Sequence, residues 1–432
     1  MSAAAIAPRF GALGFREFRL LWIAQLTSDF AANMQIFAIN WHVFELLHGA
    51  GVTVSLFGVT VDLSAAAVGL GGIGLVRLAP TLVFGIWGGL LADALDRRRL
   101  MMWTRLGVAA IAAALFALTL ADLVGVALLY LISAATAALA GFDTPSRQSL
   151  LPATVPPEQL SHAVSLFSLA FRISAVLAPL AGAALIGRYA TVAAYGVIAA
   201  FFAIPALCLR LMRVTRPDDA PRAQPSVAAF VEGLQYVRSM PILWQSFVID
   251  FLSACFTTLG VLLPLLAEVV FDSGVGGYGL LAAGQPIGAV VTGLALAYWH
   301  RLRWQGLLMM GSVAAYGLAA AMVGLSRSIW LSFALLTVVG AADTVGTVVR
   351  GLWRQTMTPE HLRGRVISIA LVFFRGGPRM GELLAGLSAA FLGAPLAIVA
   401  GGMATVTCVA VMAWRHPRLL RFDTLDRPNP PA

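Results

Sequence analysis

Twelve stretches of this chain are long and oily enough to cross a bilayer, at roughly 20–46, 67–92, 100–121, 126–147, 161–187, 190–210, 242–270, 278–299, 306–325, 329–350, 366–392 and 396–414. A segment in hydrocarbon must satisfy its own backbone N–H and C=O groups, and a continuous apolar run of about 18 residues or more does so as a helix. The chain is 59% hydrophobic and 11% charged, against about 25% charge in an ordinary soluble domain. These features predict an all-α polytopic membrane protein with twelve transmembrane helices. Residues 1–19 carry Arg9, Arg16 and Arg19 and no early apolar core with a small-residue cleavage site, so no removable signal peptide is expected. The stretch 51–66 is moderately apolar and reads as a connection.

The net charge of +9 invites a nucleic-acid reading, but the placement of the charge opposes it. All 29 basic residues are arginine. With the N-terminus inside, the outward connections hold only Arg188 and Arg327, and Arg77, Arg172, Arg375 and Arg379 fall within spans. The rest lie in the inward tails and connections or at inner helix ends. That asymmetry orients a membrane protein with both termini cytoplasmic, and no nucleic-acid partner is expected. Cys208, Cys255 and Cys408 lie in apolar runs without metal spacing and read as packing residues. No phosphate-binding GxxxxGK[ST], metal cluster or activated nucleophile stands out, so the chain is expected to be no enzyme and to need no cofactor.

The chain repeats itself in the same orientation. Asp143-Thr144 is answered by Asp343-Thr344, Pro157-Glu158 by Pro359-Glu360, Phe171-Arg172 by Phe374-Arg375, and Asp29-Phe30 by Asp250-Phe251. The expected organisation is a six-helix half at 1–210, a cytoplasmic linker with an amphipathic segment at 211–241, a second half at 242–414 and a tail at 415–432. Two parallel six-helix repeats are the architecture of major facilitator transporters.

Ionisable groups in spans are costly and therefore informative. The interiors of spans three, six, nine and twelve contain none, while Arg105 sits at an inner end. Span one carries Asp29, Asn33 and Asn40, which at about 100° per residue fall within roughly 40° of one another, with Gln25 near the same line. Span seven repeats the stripe with Ser246, Asp250, Ser253 and Thr257, and span eleven gathers Arg375, Arg379 and Glu382. If every third helix faces lipid and the others surround a wet cavity, this distribution results. Asp29, Asp250 and Glu382 are then the proton-coupling candidates, Asp29 first. Asp29 and Asp250 lie about 12–13 Å into their helices. Asn33, Asn40, Arg77, Arg172, Arg375 and Arg379 are the substrate-cavity candidates. The excess of arginine over acid at this depth favours an anionic cargo. The bland alternative is structural glue between helices, but such bonds average only about 0.6 kcal/mol.

Between spans two and three lies GGLLADALDRRRL. Gly89, Asp93, Arg97 and Arg98 match the loop signature of the major facilitator superfamily, with Ala94 and Asp96 departing from it. Physically, Gly89 permits close helix approach, Asp93 can cap a neighbouring helix and Arg97 can pair with Asp143. Asp343 is its repeat counterpart, and these six residues form the expected cytoplasmic gate. Span five carries Ser165, Ser174, Ala178, Pro179, Gly182 and Ala183 where the superfamily's antiporters carry a glycine-rich pattern. Through LADALDRRRL, SRQSLLPATVPPEQLSHAVSL and WRQTMTPEHLRGRV, nearly the whole chain resembles the branch that holds the enterobactin exporter and related drug-efflux proteins. The resemblance implies proton-driven export of a small organic molecule across the bacterial cytoplasmic membrane by alternating access. Expected partners are that molecule, protons and membrane lipids, with the protein a monomer. The alternatives are a lipid flippase or a non-transporting assembly protein and, among transporters, a nutrient importer.

Overall fold

In a computed structural model of the protein, the described residues are 11–56, 59–94, 97–213, 227–298 and 302–424, with the side chains of 52–62, 85–99, 143–149, 227–230 and His361 outside the description. The elements in chain order are α1 (Arg16–Leu47), β1 (Gly51–Leu56), β2 (Val59–Ser64), α2 (Ala65–Ala94), α3 (Arg97–Leu120), α4 (Val126–Leu150), α5 (Leu160–Leu211) and α6 (Val227–Ser239). There follow α7 (Pro241–Phe256), the single turn α8 (Leu263–Leu265), α9 (Gly274–Tyr298), α10 (Gln305–Leu325), α11 (Ile329–Met357), α12 (Arg363–Leu392), α13 (Ala394–Arg415) and α14 (Pro417–Leu420). Twelve membrane-crossing passes result among the described residues.

Eight helical stretches are long and apolar enough to cross a membrane on composition alone. One of these, Pro157–Leu211, counts twice. The α5 run breaks at Tyr189 (φ −133°, ψ 15°) and Ala190 (φ 63°, ψ 174°), so 160–188 and 191–211 are separate passes. The remaining three are α1, α4 and α12. α1 and α12 miss the apolarity mark because they carry the polar residues singled out above, which a span tolerates only for function or specific packing; α4 is apolar over the shorter stretch Val126–Phe142.

The seventh pass is also broken. α7 stops at Phe256, and the chain resumes through a 3₁₀ turn, α8 and a π-helical segment, Leu266–Val270. A break inside a membrane strands backbone groups that need partners. The Tyr316 hydroxyl donates to the Thr257 carbonyl at 3.1 Å, and the Thr257 and Thr405 hydroxyls share a hydrogen bond of 2.5 Å.

The connection at 51–66 is a two-stranded antiparallel hairpin, with Val52 opposite Leu63 and Val54 opposite Val61. The amphipathic linker segment is α6. It is held to the start of α12 by the Arg365–Glu232 ion pair and to the end of α11 by the Tyr236 hydroxyl, which donates to the Met357 carbonyl at 2.5 Å.

Two compact units emerge, Met1–Ile39 with Ala79–Gln224, and Asn40–Leu78 with Pro225–Ala432. In the first, α5 packs on α1 at small residues. A Cβ on Gly182 would lie 2.8 Å from Cδ1 of Phe37, and the buried Ser174 hydroxyl donates to the Leu26 carbonyl at 3.3 Å. In the second, α9 and α11 cross backbone to backbone, since a Cβ on Gly288 would lie 2.8 Å from the Thr337 carbonyl carbon.

The C-terminal segment closes the second unit. Gln305 is 1% exposed, and its Oε1 accepts three hydrogen bonds: from Trp353 Nε1 at 2.8 Å, from the Thr424 hydroxyl at 3.0 Å and from the Thr424 N–H at 3.3 Å. The Gly306 N–H donates to the Phe422 carbonyl at 2.8 Å, and the Phe422 ring stands edge-on to Trp353 at 5.2 Å. Replacing Gln305 by Leu leaves the buried indole N–H and the Thr424 donors without their acceptor, an expected loss of about 1–3 kcal/mol for each buried donor left bare. Limited proteolysis of the full chain checks this: cleavage after Arg415, Arg418 or Arg421 should quicken in Gln305→Leu, and an unchanged digestion rate contradicts the clamp.

Candidate functional site

Three groups of charged side chains stand out within the passes among the described residues. The first lies within the Met1–Ile39, Ala79–Gln224 unit. Gln25 donates through Nε2 to Asp29 Oδ1 at 2.6 Å, and its Oε1 accepts from Arg105 at 3.3 Å. Arg105 also donates to the Ser28 hydroxyl and is 4% exposed. The side-chain amide of Asn33 donates to the Asp29 carbonyl at 2.8 Å. Asp29 therefore sits at the end of a relay, Arg105 to Gln25 to Asp29, on the polar stripe of α1. Arg172 is half-buried on α5 in the same unit.

Arg105 is the member that sequence reasoning missed. Its place near the start of an oily helix made it look like an ordinary inner-end arginine. The available signal was its reach: a guanidinium eight residues inside α3 stands about 12 Å along the axis, level with Gln25, nine residues inside the parallel helix α1.

The second group belongs to the Asn40–Leu78, Pro225–Ala432 unit. Asp250 accepts from Arg350 at 2.6 Å, and Arg350 stands 3.9 Å from Asp343. The Arg350 side chain is 3% exposed and the Asp343 side chain 52%. Arg350 thus joins two carboxylates that sequence reasoning had assigned to different tasks, proton coupling and gating. Asp343 lies midway along α11, fourteen residues from each end of Ile329–Met357. Phe374 of α12 is flanked by two guanidinium groups, Arg354 at 4.9 Å and Arg350 at 5.8 Å from its ring centre.

The third group, in that same unit, is assembled by glycines. A Cβ on Gly74 would lie 2.9 Å from the Leu383 nitrogen, and one on Gly71 would lie 2.9 Å from Gly386 Cα, so α2 and α12 touch backbone to backbone. This approach sets Arg77, 4% exposed, in electrostatic contact with Arg379 and Glu382. Arg379 pairs with Glu382 Oε1 at 2.5 Å, while the buried Oε2 has no hydrogen-bond partner among the described residues. Asn40 is 4% exposed, in hydrogen-bonding reach of the Tyr278 hydroxyl, and the Trp41 and Tyr278 rings are stacked at 6.1 Å. Arg375 is one turn before Arg379 on α12. Gly386→Val inserts a branched side chain where there is no room, which typically costs about 1–3 kcal/mol. A lower thermal midpoint of the purified variant is the expected reading, and an unchanged midpoint contradicts the close crossing.

Of the expected cytoplasmic gate, only Asp343 is described in full. The side chains of Gly89, Asp93, Arg97, Arg98 and Asp143 lie outside the described residues.

The comparisons with known proteins follow the same line. The chain is 26% identical to the Staphyloferrin A transporter of Staphylococcus aureus over 89% of this chain and 92% of that one. It is 26% identical to the Multidrug efflux pump Tap of Mycolicibacterium fortuitum, over 88% and 95%. It is 25% identical to the Enterobactin exporter EntS of Citrobacter koseri, over 89% and 88%. In fold it is similar to the crystal structure of the nucleoside transporter NupG, with a TM-score of 0.71 at 11% identity over 94% of this chain and 100% of that one. The model of a family described as transmembrane secretion effector matches residues 7–428. The chain belongs to that family, and is a multi-pass membrane transporter of the major facilitator superfamily rather than an enzyme.

Proposed function

We propose that the protein exports a small, anionic organic molecule across the bacterial cytoplasmic membrane by alternating access, driven by protons. The observation that carries this reading is the set of buried and half-buried charges in passes that should be oily. Arg77, Arg105 and Arg350 are all nearly inaccessible, and charges are retained at such depth chiefly where ions or charged cargo move. The relatives named for siderophores and for drug efflux support export.

In this reading Asp29, Asp250 and Glu382 exchange protons. Asn33, Asn40, Arg77, Arg172, Arg375 and Arg379 face the cargo, and the loop with Gly89, Asp93, Arg97 and Arg98 closes the cytoplasmic side with Asp143 and Asp343. The two six-helix halves at 1–210 and 242–414 rock about the cargo as a monomer surrounded by lipid, with both termini cytoplasmic. The scarcity of arginine in the outward connections, Arg188 and Arg327 alone, supports the orientation.

Arg77 and Arg379 repel one another across the α2–α12 crossing, with the Glu382 carboxylate beside them. An acidic cargo would ease that repulsion. The test is competition in inverted vesicles energised by a pH jump, with acidic and cationic compounds of similar size set against a transported substrate. The expected result is selective competition by the acids. Selective competition by the cations would overturn the anionic reading.

A further inference from the structure

Where α11 ends and α12 begins, the two helices part and leave a cavity of about 270 Å³. Its walls are of two kinds. From α11 come Arg354 and Gln355; from α12 come Arg363 and, further along the same helix, Ile367, Leu371 and Phe374. Among the described residues neither arginine makes a salt bridge or donates a hydrogen bond. Arg350 takes the neighbouring Asp250 carboxylate, and Arg354 lies over the Phe374 ring at 4.9 Å. A guanidinium over a ring keeps N–H donors that an anion can engage. Ile367 is 48% exposed and Leu371 43%. Arg354, whose charge also feels the Asp250 carboxylate, and Arg363 therefore line one hollow with exposed aliphatic surface, at the end of the passes where a membrane surface would lie.

We propose that this cavity binds an acidic amphiphile, with its phosphate or carboxylate between Arg354 and Arg363 and its acyl or aryl body along Ile367, Leu371 and Phe374. Basic pockets between membrane helices bind anionic head groups by this chemistry. Two sources can supply the ligand. An acidic membrane lipid makes it a regulatory lipid site, independent of what is transported. The anionic cargo makes it a holding site before transport, and in that form the inference rests on the function proposed above. Neither arginine is among the cargo-facing residues of that proposal.

The experiment uses the purified full-length protein in phosphatidylcholine nanodiscs and photolabelling mapped by mass spectrometry. One arm uses a diazirine-bearing phosphatidylglycerol against its phosphatidylcholine twin. The other uses a diazirine-bearing aryl carboxylate against the matching aryl alcohol. The expected result is that at least one anionic probe labels 351–374 about tenfold more than its twin. Arg354→Gln with Arg363→Gln should abolish the difference, and lysine at both positions should preserve most of it. Labelling by the lipid alone assigns the lipid source, by the carboxylate alone the cargo, and by both the shared chemistry. Arg363→Gln by itself, at the exposed start of α12, serves if the double variant fails to fold. Equal labelling by charged and uncharged twins, or labelling that survives the glutamine change, overturns the proposal. Cation-selective competition in the vesicle assay alongside charge-dependent lipid labelling would sink the anionic cargo and leave this site standing.

Discussion

Arg350→Gln should be the most destabilising single change to a charged residue in the Asn40–Leu78, Pro225–Ala432 unit. Arg350 holds Asp250 at 2.6 Å with its own side chain 3% exposed, and it also lies 3.9 Å from Asp343. Removing the cation leaves one buried carboxylate and a second close by. Breaking a buried pair from one side costs about 3–5 kcal/mol. At about 2–4 °C per kcal/mol for a unit of this size, the thermal midpoint should fall by roughly 10 °C. Asp250→Asn added to Arg350→Gln removes the stranded charge and should recover part of that fall. Thermal unfolding in detergent, followed by a probe of the native state, decides it. A single variant that melts with the wild type, or a double variant worse than the single, rules out the pairing.

Asp29→Asn should abolish proton-driven efflux, bringing transport down to that of vesicles without the protein. The substitution is close to isosteric. Asparagine keeps the carbonyl oxygen that accepts from Gln25 at 2.6 Å, so the relay from Arg105 survives in geometry while the exchangeable proton is lost. Insertion and thermal midpoint should be unchanged, which separates this effect from that of Arg350. Transport at the wild-type rate and equal expression would remove Asp29 as the carrier. Gln25→Leu gives the companion reading: it cuts the link to Arg105 but spares the carboxylate, and it should lower the rate without abolishing it.

The passes were legible because hydrocarbon leaves a segment only one way to satisfy its backbone, so length and apolarity decide the matter. Even the two helices at 161–187 and 190–210 were separable in sequence, where α5 is continuous apart from Tyr189 and Ala190. The polar stripe of α1 was legible from spacing alone. What spacing does not reveal is reach. Arg105 and Arg350 were visible as letters, but their partners lie 80 and 100 residues away along the chain. Only the crossing of α1 with α3, and of α7 with α11, brings them together. The hairpin at 51–64 was missed for a different reason. Its alternating Val52, Val54, Leu56 and Val59, Val61, Leu63 is a strand pattern, but it lies between two helices of an all-α chain and was read as mere connection. The depth of Arg77 beside Glu382 depended on glycines, and glycine frequency in a membrane chain does not say which pair will meet.

The Gln305 acceptor shared by Trp353 and Thr424 has a consequence for how the protein is made. Gln305 and Thr424 are 119 residues apart in the chain. At roughly 5–20 residues per second, Gln305 waits about 6–24 s on the ribosome before its last partner is synthesised. Until then the inner ends of α10 and α11 lack their cover of Leu419 and Phe422, and the second unit cannot finish packing before Thr424 has been made. Completion of this unit therefore waits on the synthesis of the segment that carries Leu419, Phe422 and Thr424. A nascent chain halted short of Thr424 would present an open Trp353 surface to the machinery that disposes of incomplete membrane proteins.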